Sequence, residues 1–224
     1  KRFSEQEQNV KLAVFSTFSN FLRVIVQRPI AEEAFEDLVE KPVLVKVKPE
    51  FAEFQGKVVT MIAELIKVFN DKKASSAVKV ASSELLLLTT TNIPDAVIQH
   101  LDAVIKLIDV NYTQTSNTIE LRTNMLKILG AILKVQVVDN KPQIERHYPV
   151  INKLILSSLE DKSFKLVSEG SKALTVFYRA LRPTLSSTTE KFQTYVKPVI
   201  GTVNKTLKST DIDEEVRGLL ITLS

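Results

Sequence analysis

Two stretches, HLDAVIKLI from His100 and HYPVINKLI from His147, contain both histidines of the 224-residue chain. Imidazole is the side chain best suited to hold a transition metal or move a proton near neutral pH. A matched pair in matched sequence is therefore the first place to look for chemistry. A shared metal needs more donors than two, however. The chain has no Cys, and the nearest acids, Asp102 and Glu145, are local to each histidine's own helix. If the two stretches are equivalent helices of neighbouring repeats, they lie about a helix diameter apart, roughly 10 Å, too far to share one ion. The expectation is that the histidines recur because the chain recurs, with no catalytic residue, no metal ligand set and no cofactor.

Other reactive patterns are equally thin. The sequence holds no Gly-rich phosphate loop, no Gly-x-Ser-x-Gly elbow and no His-Glu-x-x-His. Ser116–Thr118 and the Ser-Thr-Thr near Ser187 read as turn and helix-cap residues. Asn111-Tyr112-Thr113 fits a glycosylation acceptor, a three-residue pattern that is common by chance. The chain is expected not to be an enzyme and to take no small-molecule substrate.

The elements that carry these residues are helices. Hydrophobic residues make up 44% of the chain and charged residues 25%, enough to bury a core. Five glycines and no Trp or Cys leave a composition of Leu, Lys, Val and Ala, which favours helices over tight hairpins. The absence of Cys suits an intracellular protein. The run Leu85–Leu88 falls far short of the roughly 20 apolar residues that cross a bilayer, so no membrane contact is expected. The opening KRFSEQEQNV has neither an initiator Met nor a signal-peptide core and reads as the interior of a longer chain. Net charge is +4, and all of the excess falls in residues 141–224, with 13 bases against 9 acids. Spread over that length it is a mild bias, and nucleic acid is not an expected partner.

Val58, Ile62, Leu65 and Phe69 form one helical stripe at spacings of 4, 3 and 4. Residues 119–133 carry two: Leu121, Met125, Ile128, Ile132 and Met125, Leu126, Leu129, Leu133. So wide an apolar arc predicts a helix with neighbours on both sides. Helices of this second type each open on an apolar residue followed by a base: Val10-Lys11, Val78-Lys79, Leu121-Arg122, Phe164-Lys165 and Val216-Arg217. Successive intervals from Val78 are 43, 43 and 52 residues, His100 to His147 is 47, and Pro-Val-Ile at Pro149 recurs 49 residues on at Pro198. A helical unit of about 40–47 residues is the mark of HEAT or armadillo arrays.

This spacing predicts an all-α, right-handed α-solenoid of HEAT repeats, about four to five helix pairs, with second helices starting near residues 9, 77, 119, 164 and 214. The whole of 1–224 reads as a single array cut at both ends. One interval breaks the rule. Val10 to Val78 is 68 residues, and the excess lies around Pro29, Pro42 and Pro49, so 28–50 is expected to be an irregular loop or degenerate repeat, the least ordered part of the chain. Acids stand four residues before the base at Glu7/Lys11, Asp161/Lys165 and Asp213/Arg217. With Lys79 and Arg122, these residues are expected to form a structural ladder between stacked units.

Taken together, EQNVKLAVFSTFSNFLRV, NDKKASSAVKVASSELLLL, DKSFKLVSEGSKALTVFYRALRP and DIDEEVR resemble consecutive HEAT repeats of the cullin-associated, neddylation-dissociated family. The most specific words are Phe-Lys-x-x-Ser-Glu at Phe164–Glu169 with Arg182-Pro183, and Asp211-Ile212-Asp213. The resemblance runs from Gln6 to Arg217 and implies an interior part of a cytoplasmic and nuclear regulator of cullin–RING ubiquitin ligases. Such a protein wraps unneddylated cullin with its RING subunit and promotes exchange of substrate receptors. No motif here marks the residues that touch cullin. The alternatives are a HEAT nuclear-transport receptor, from which an acidic cargo surface is expected against a sequence pI of about 9.1, or another protein–protein scaffold of more regular repeat length.

Overall fold

The computed structural model describes residues 2–27, 46–47, 53–139, 142–185 and 192–208. The chain is all-α, built of repeated helix pairs of the HEAT/TPR solenoid class. The one departure among the described residues is a two-residue antiparallel bridge, Val26–Gln27 (β1) with Lys46–Val47 (β2). The structure divides into two compact units, Lys1–Val104 and Ile105–Ser224.

The first unit contains α1 (Arg2–Ile25), α2 (Phe54–Asn70), α3 (Ser76–Asn92), α4 (Pro94–Ile98) and the start of α5 (Leu101–Thr113). In α2 the predicted stripe Val58, Ile62, Leu65, Phe69 is buried, and α2 packs on α3. Each such fully buried aliphatic side chain contributes ~1.5–3 kcal/mol relative to exposure. α3 also buries Ser82, Ser83, Thr89 and Thr90, and each hydroxyl donates to a backbone carbonyl three or four residues earlier. Returning the hydroxyl to its own helix removes the cost of burying it bare.

α1 differs from the expectation of a helix starting near residue 9. It is already helical from Arg2, and Val10, expected at the helix opening, lies inside the helix and is 61% exposed. It packs on α3, and Gln8, Leu12, Phe15, Ser19 and Leu22, among its less exposed positions, fall at helical spacing. Beyond that stripe, Phe21 meets Phe54 of α2 edge to face at 5.0 Å.

The second unit contains the rest of α5, α6 (Ile119–Asp139), a 3-10 turn (Pro142–His147), α7 (Tyr148–Leu159), α8 (Phe164–Leu185), a π turn (Phe192–Val196) and α9 (Lys197–Leu207). Both stripes of α6 are buried, Leu121 through Leu133 at no more than 1% exposure. The widest helix contact in the unit is α6 with α8. α7 packs on α8 as well. Because only Glu160–Ser163 joins them, the two must run in opposite directions.

Caps and burial fix the register of the second helices. Ser75 Oγ accepts from Val78 N at 3.3 Å, and Thr118 Oγ1 accepts from Leu121 N at 3.2 Å. Ser163 stands at the same place before α8. From α3 to α6 the interval is 43 residues, as expected, and Val78 and Leu121 are both buried. From α6 to α8 it is 45, because the buried counterpart of Leu121 is Leu166, while Phe164 is 48% exposed. The Phe164-Lys165 word therefore sits two residues out of phase with Leu121-Arg122.

The main first helices α5, α7 and α9 begin 47 and 49 residues apart, and each follows a short separate piece. Pro149 and Pro198 are the second residues of α7 and α9. Proline lacks the N–H and its ring crowds the carbonyl four residues back, so the preceding segments tighten to 3-10 or widen to π geometry. The break before α5 has no proline. There the His100 ring stands at the gap.

Residues 28–45 and 48–50, and the second helix expected near 214, lie outside the described residues.

Candidate functional site

His100 Nε2 donates to the Val59 carbonyl oxygen at 3.1 Å, which ties the α4–α5 break to α2. His147 closes the 3-10 turn, and its Nε2 accepts from Arg146 Nε at 3.3 Å. The two rings stand at equivalent places before α5 and α7, each engaged with its own surroundings. Among the described residues no group of three or more His, Cys, Asp or Glu side chains is arranged to hold a metal ion. Asn111 of the glycosylation pattern is buried in α5, and its Nδ2 donates to Leu107 O at 2.9 Å.

The ladder residues are placed as follows. Glu7 and Lys11 pair within α1 at 3.0 Å, and the same ammonium lies 3.9 Å from Asp71 Oδ2, in the turn between α2 and α3. Arg122, in the first turn of α6, donates from Nη2 to Asp161 Oδ2 at 2.8 Å, in the turn between α7 and α8. In both cases a base on a second helix reaches the turn inside the next helix pair. Asp161 is therefore directed to Arg122 and not to Lys165, which is exposed on α8. Its other oxygen accepts from Ser163 N at 2.9 Å, just as Asp71 Oδ1 accepts from Lys73 N at 2.8 Å. One carboxylate thus closes its own turn and binds the neighbouring helix.

Asp71 was not evident from the i, i+4 pattern. Its signal is the Asp-Lys word shared by Asp71-Lys72 and Asp161-Lys162. Lys79 occupies the position of Arg122 in α3, but no carboxylate pairs with it among the described residues, and the turn at 114–118 contains no acid. Asp213 and Arg217 lie outside the described residues.

The Arg122 rung is the most buried, with side chains 13% and 18% exposed. Arg122 Nε also donates to Tyr112 O at 2.9 Å, and the guanidinium lies 4.9 Å from the Tyr112 ring centre. A planar fork can serve the carboxylate, the carbonyl and the ring face together, which an ammonium cannot. Burial pushes the Tyr112 phenol above its usual range, only partly countered by Arg122. Burial also raises Tyr148 and Tyr178 to about 12. Tyr148 meets Phe177 edge to face at 5.2 Å and Tyr195 of the π turn at 6.1 Å, so these rings fasten α7, α8 and the start of the next pair.

Repeated helix pairs, tied turn to helix by ion pairs and bringing together no reactive constellation among the described residues, define a helical-repeat scaffold. The chain belongs to the family described as CAND1-like, TPR repeats, which matches residues 95–223. Among curated relatives, Cullin-associated NEDD8-dissociated protein 1 of Arabidopsis thaliana is 23% identical over 224 residues, covering 99% of this chain. The proteins of that name from Drosophila melanogaster and Dictyostelium discoideum are 21% and 23% identical over 96% and 99% of it. The chain spans about 17% of the length of each. No described helix is long and apolar enough to cross a membrane.

Proposed function

We propose that the chain is a non-enzymatic scaffold segment of a cullin–RING ubiquitin ligase regulator, holding unneddylated cullin with its RING subunit and contributing to substrate-receptor exchange. It works without cofactor, in the cytoplasm and nucleus. The observation that carries this reading is the similarity, over nearly the whole chain, to proteins named for cullin association. The repeat architecture fits it: each pair adds surface to a neighbour, and a long array gains affinity because contacts at one end hold the others at high effective concentration. Residues 1–224 alone forgo most of that gain, and their own affinity is expected to be about micromolar or weaker.

The test is capture of a cullin–RING complex by the longest native protein that contains this sequence, with unmodified and with neddylated cullin. Strong binding to the first and loss with the second is expected. No binding, or equal binding to both, would end this reading.

A further inference from the structure

The helices α6 and α8 present an unpartnered face with a strong sign of charge. Arg122 and Asp161 hold the N-terminal ends of the two helices together, so α6 and α8 run parallel, side by side. In the 45-residue register set by their buried positions, exposed Glu120, Lys127 and Lys134 of α6 stand beside exposed Lys165, Lys172 and Arg179 of α8. These positions are seven residues apart along each helix, ~10.5 Å at 1.5 Å per residue. The helix axes are spaced ~8–10 Å.

Five cations and one carboxylate thus form two adjacent rows. Glu169 offsets one cation, pairing with Lys172 at 3.2 Å. Lys127, Lys165 and Arg179 have no carboxylate partner among the described residues. Lys127 stands ~14 Å from Lys165 and from Arg179, beyond the ~8 Å Debye length at physiological salt, so each cation acts chiefly on a charge set directly over it. At the N-terminal end of the same rows, Ile119 and Phe164 are 49% and 48% exposed. Both open their helices, at equivalent positions.

From this we infer that the α6–α8 face is a docking surface for an acidic protein surface. The partner sets carboxylates over Lys127, Lys165 and Arg179 and an apolar side chain against Ile119 and Phe164. Charge complementarity selects the occupant: an anionic partner supplies the carboxylates that Lys127, Lys165 and Arg179 lack. The pair of exposed apolar residues favours protein over nucleic acid. A phosphate backbone makes no use of them, and no aromatic side chain is interleaved with the cations to stack on bases. The inference rests on the cullin reading and assigns the contact to a particular face of this chain.

Two variants with equal charge change separate the possibilities. Lys127→Glu/Lys165→Glu/Arg179→Glu reverses the proposed face. Lys106→Glu/Lys197→Glu/Lys208→Glu reverses exposed cations on the first helices of the same unit and the turn that follows α9. Each is measured for affinity to unmodified cullin–RING complex, with circular dichroism as the folding check. The first should weaken binding by about thirtyfold or more, and the second by about threefold or less. If the glutamate variant loses helicity, the Gln version of the same triple takes its place, with about a tenfold loss expected. Equal weakening by both sets reduces the effect to general attraction and overturns the surface, as does no weakening by the first. Either leaves the cullin reading standing, whereas a wild-type protein that ignores cullin removes both. A 20-base-pair DNA duplex is the remaining probe. If wild type binds it more tightly than cullin, and the first triple variant abolishes that binding, the face belongs to nucleic acid and the proposal fails.

Discussion

Gly170 of α8 lies against Ser158 of α7. A Cβ built on Gly170 overlaps Ser158 Oγ and comes within 2.8 Å of Ser158 Cβ. Ser158 is fully buried, and its hydroxyl donates to Ile155 O at 2.6 Å. Rotating Oγ away breaks that bond, and no rotation moves Cβ. Gly170→Ala therefore sets a gain of ~0.8–1 kcal/mol in helix propensity against ~1–3 kcal/mol of overpacking and a broken hydrogen bond of ~0.5–1.5 kcal/mol. A net loss of about 1–3 kcal/mol is expected. Gly130 of α6 supplies the control, since a Cβ there meets nothing within 4 Å. Gly130→Ala should stabilise by about 0.5–1 kcal/mol. With Ser158→Gly present, the nearest atom to the new Cβ is the residue 158 carbonyl carbon at 3.6 Å, an ordinary contact. The double variant should then show a favourable coupling of about 1 kcal/mol or more. Urea unfolding followed by helical circular dichroism measures all five proteins, wild type and Ser158→Gly included. Equal stability of the two Gly→Ala variants would refute the argument.

Removing the most buried rung, with Arg122→Ala, should cost about 2–3 kcal/mol, because Asp161 is left partly buried without its partner; Lys11→Ala should cost less than about 1 kcal/mol at its more exposed pair, and the same urea melts would contradict this if the two losses matched. Tyr148 and Tyr178 should not ionise near pH 10 in an ultraviolet titration of the folded protein. Their folded-state pKa values, raised to about 12, lie above the unfolded value of 10.0, so their contribution to stability is full below pH 10 and is lost as pH rises toward 12; phenolate absorbance for all four tyrosines by pH 10.5, without unfolding, would be incompatible. His100→Gln and His147→Gln should leave metal content at background; stoichiometric zinc in purified protein, lost in either variant, would reverse that expectation.

The helices and one true repeat interval were legible because stripes such as Val58–Phe69 and Leu121–Leu133 encode burial directly. The cap at Thr118 was legible for the same local reason. The 45-residue register was not, because Phe164-Lys165 imitates Leu121-Arg122 in residue type while Leu166 takes the buried place. Val10 misled similarly: an apolar residue before a base does not say where the helix begins. The ladder residues could be named, but Asp161 has a base four residues ahead and another 39 residues behind, and local spacing favours the wrong one. The charged rows on α6 and α8 emerge only after the two helices are aligned, since the net charge of +4 dilutes them.

The double duty of Asp71 and Asp161 bears on how such a chain comes apart. Each carboxylate belongs at once to its own hairpin and to the helix before it, so peeling one pair away also loosens the turn of the pair that remains. Under tension, boundaries spanned by such a clasp should yield together with their turns, in larger steps than boundaries held by apolar contact alone. In the 45-residue register Val167 stands where Arg122 would, and the boundary after α8 has no such clasp from that position. A pulled chain is expected to yield there in a smaller step than at the boundary that Arg122 and Asp161 span.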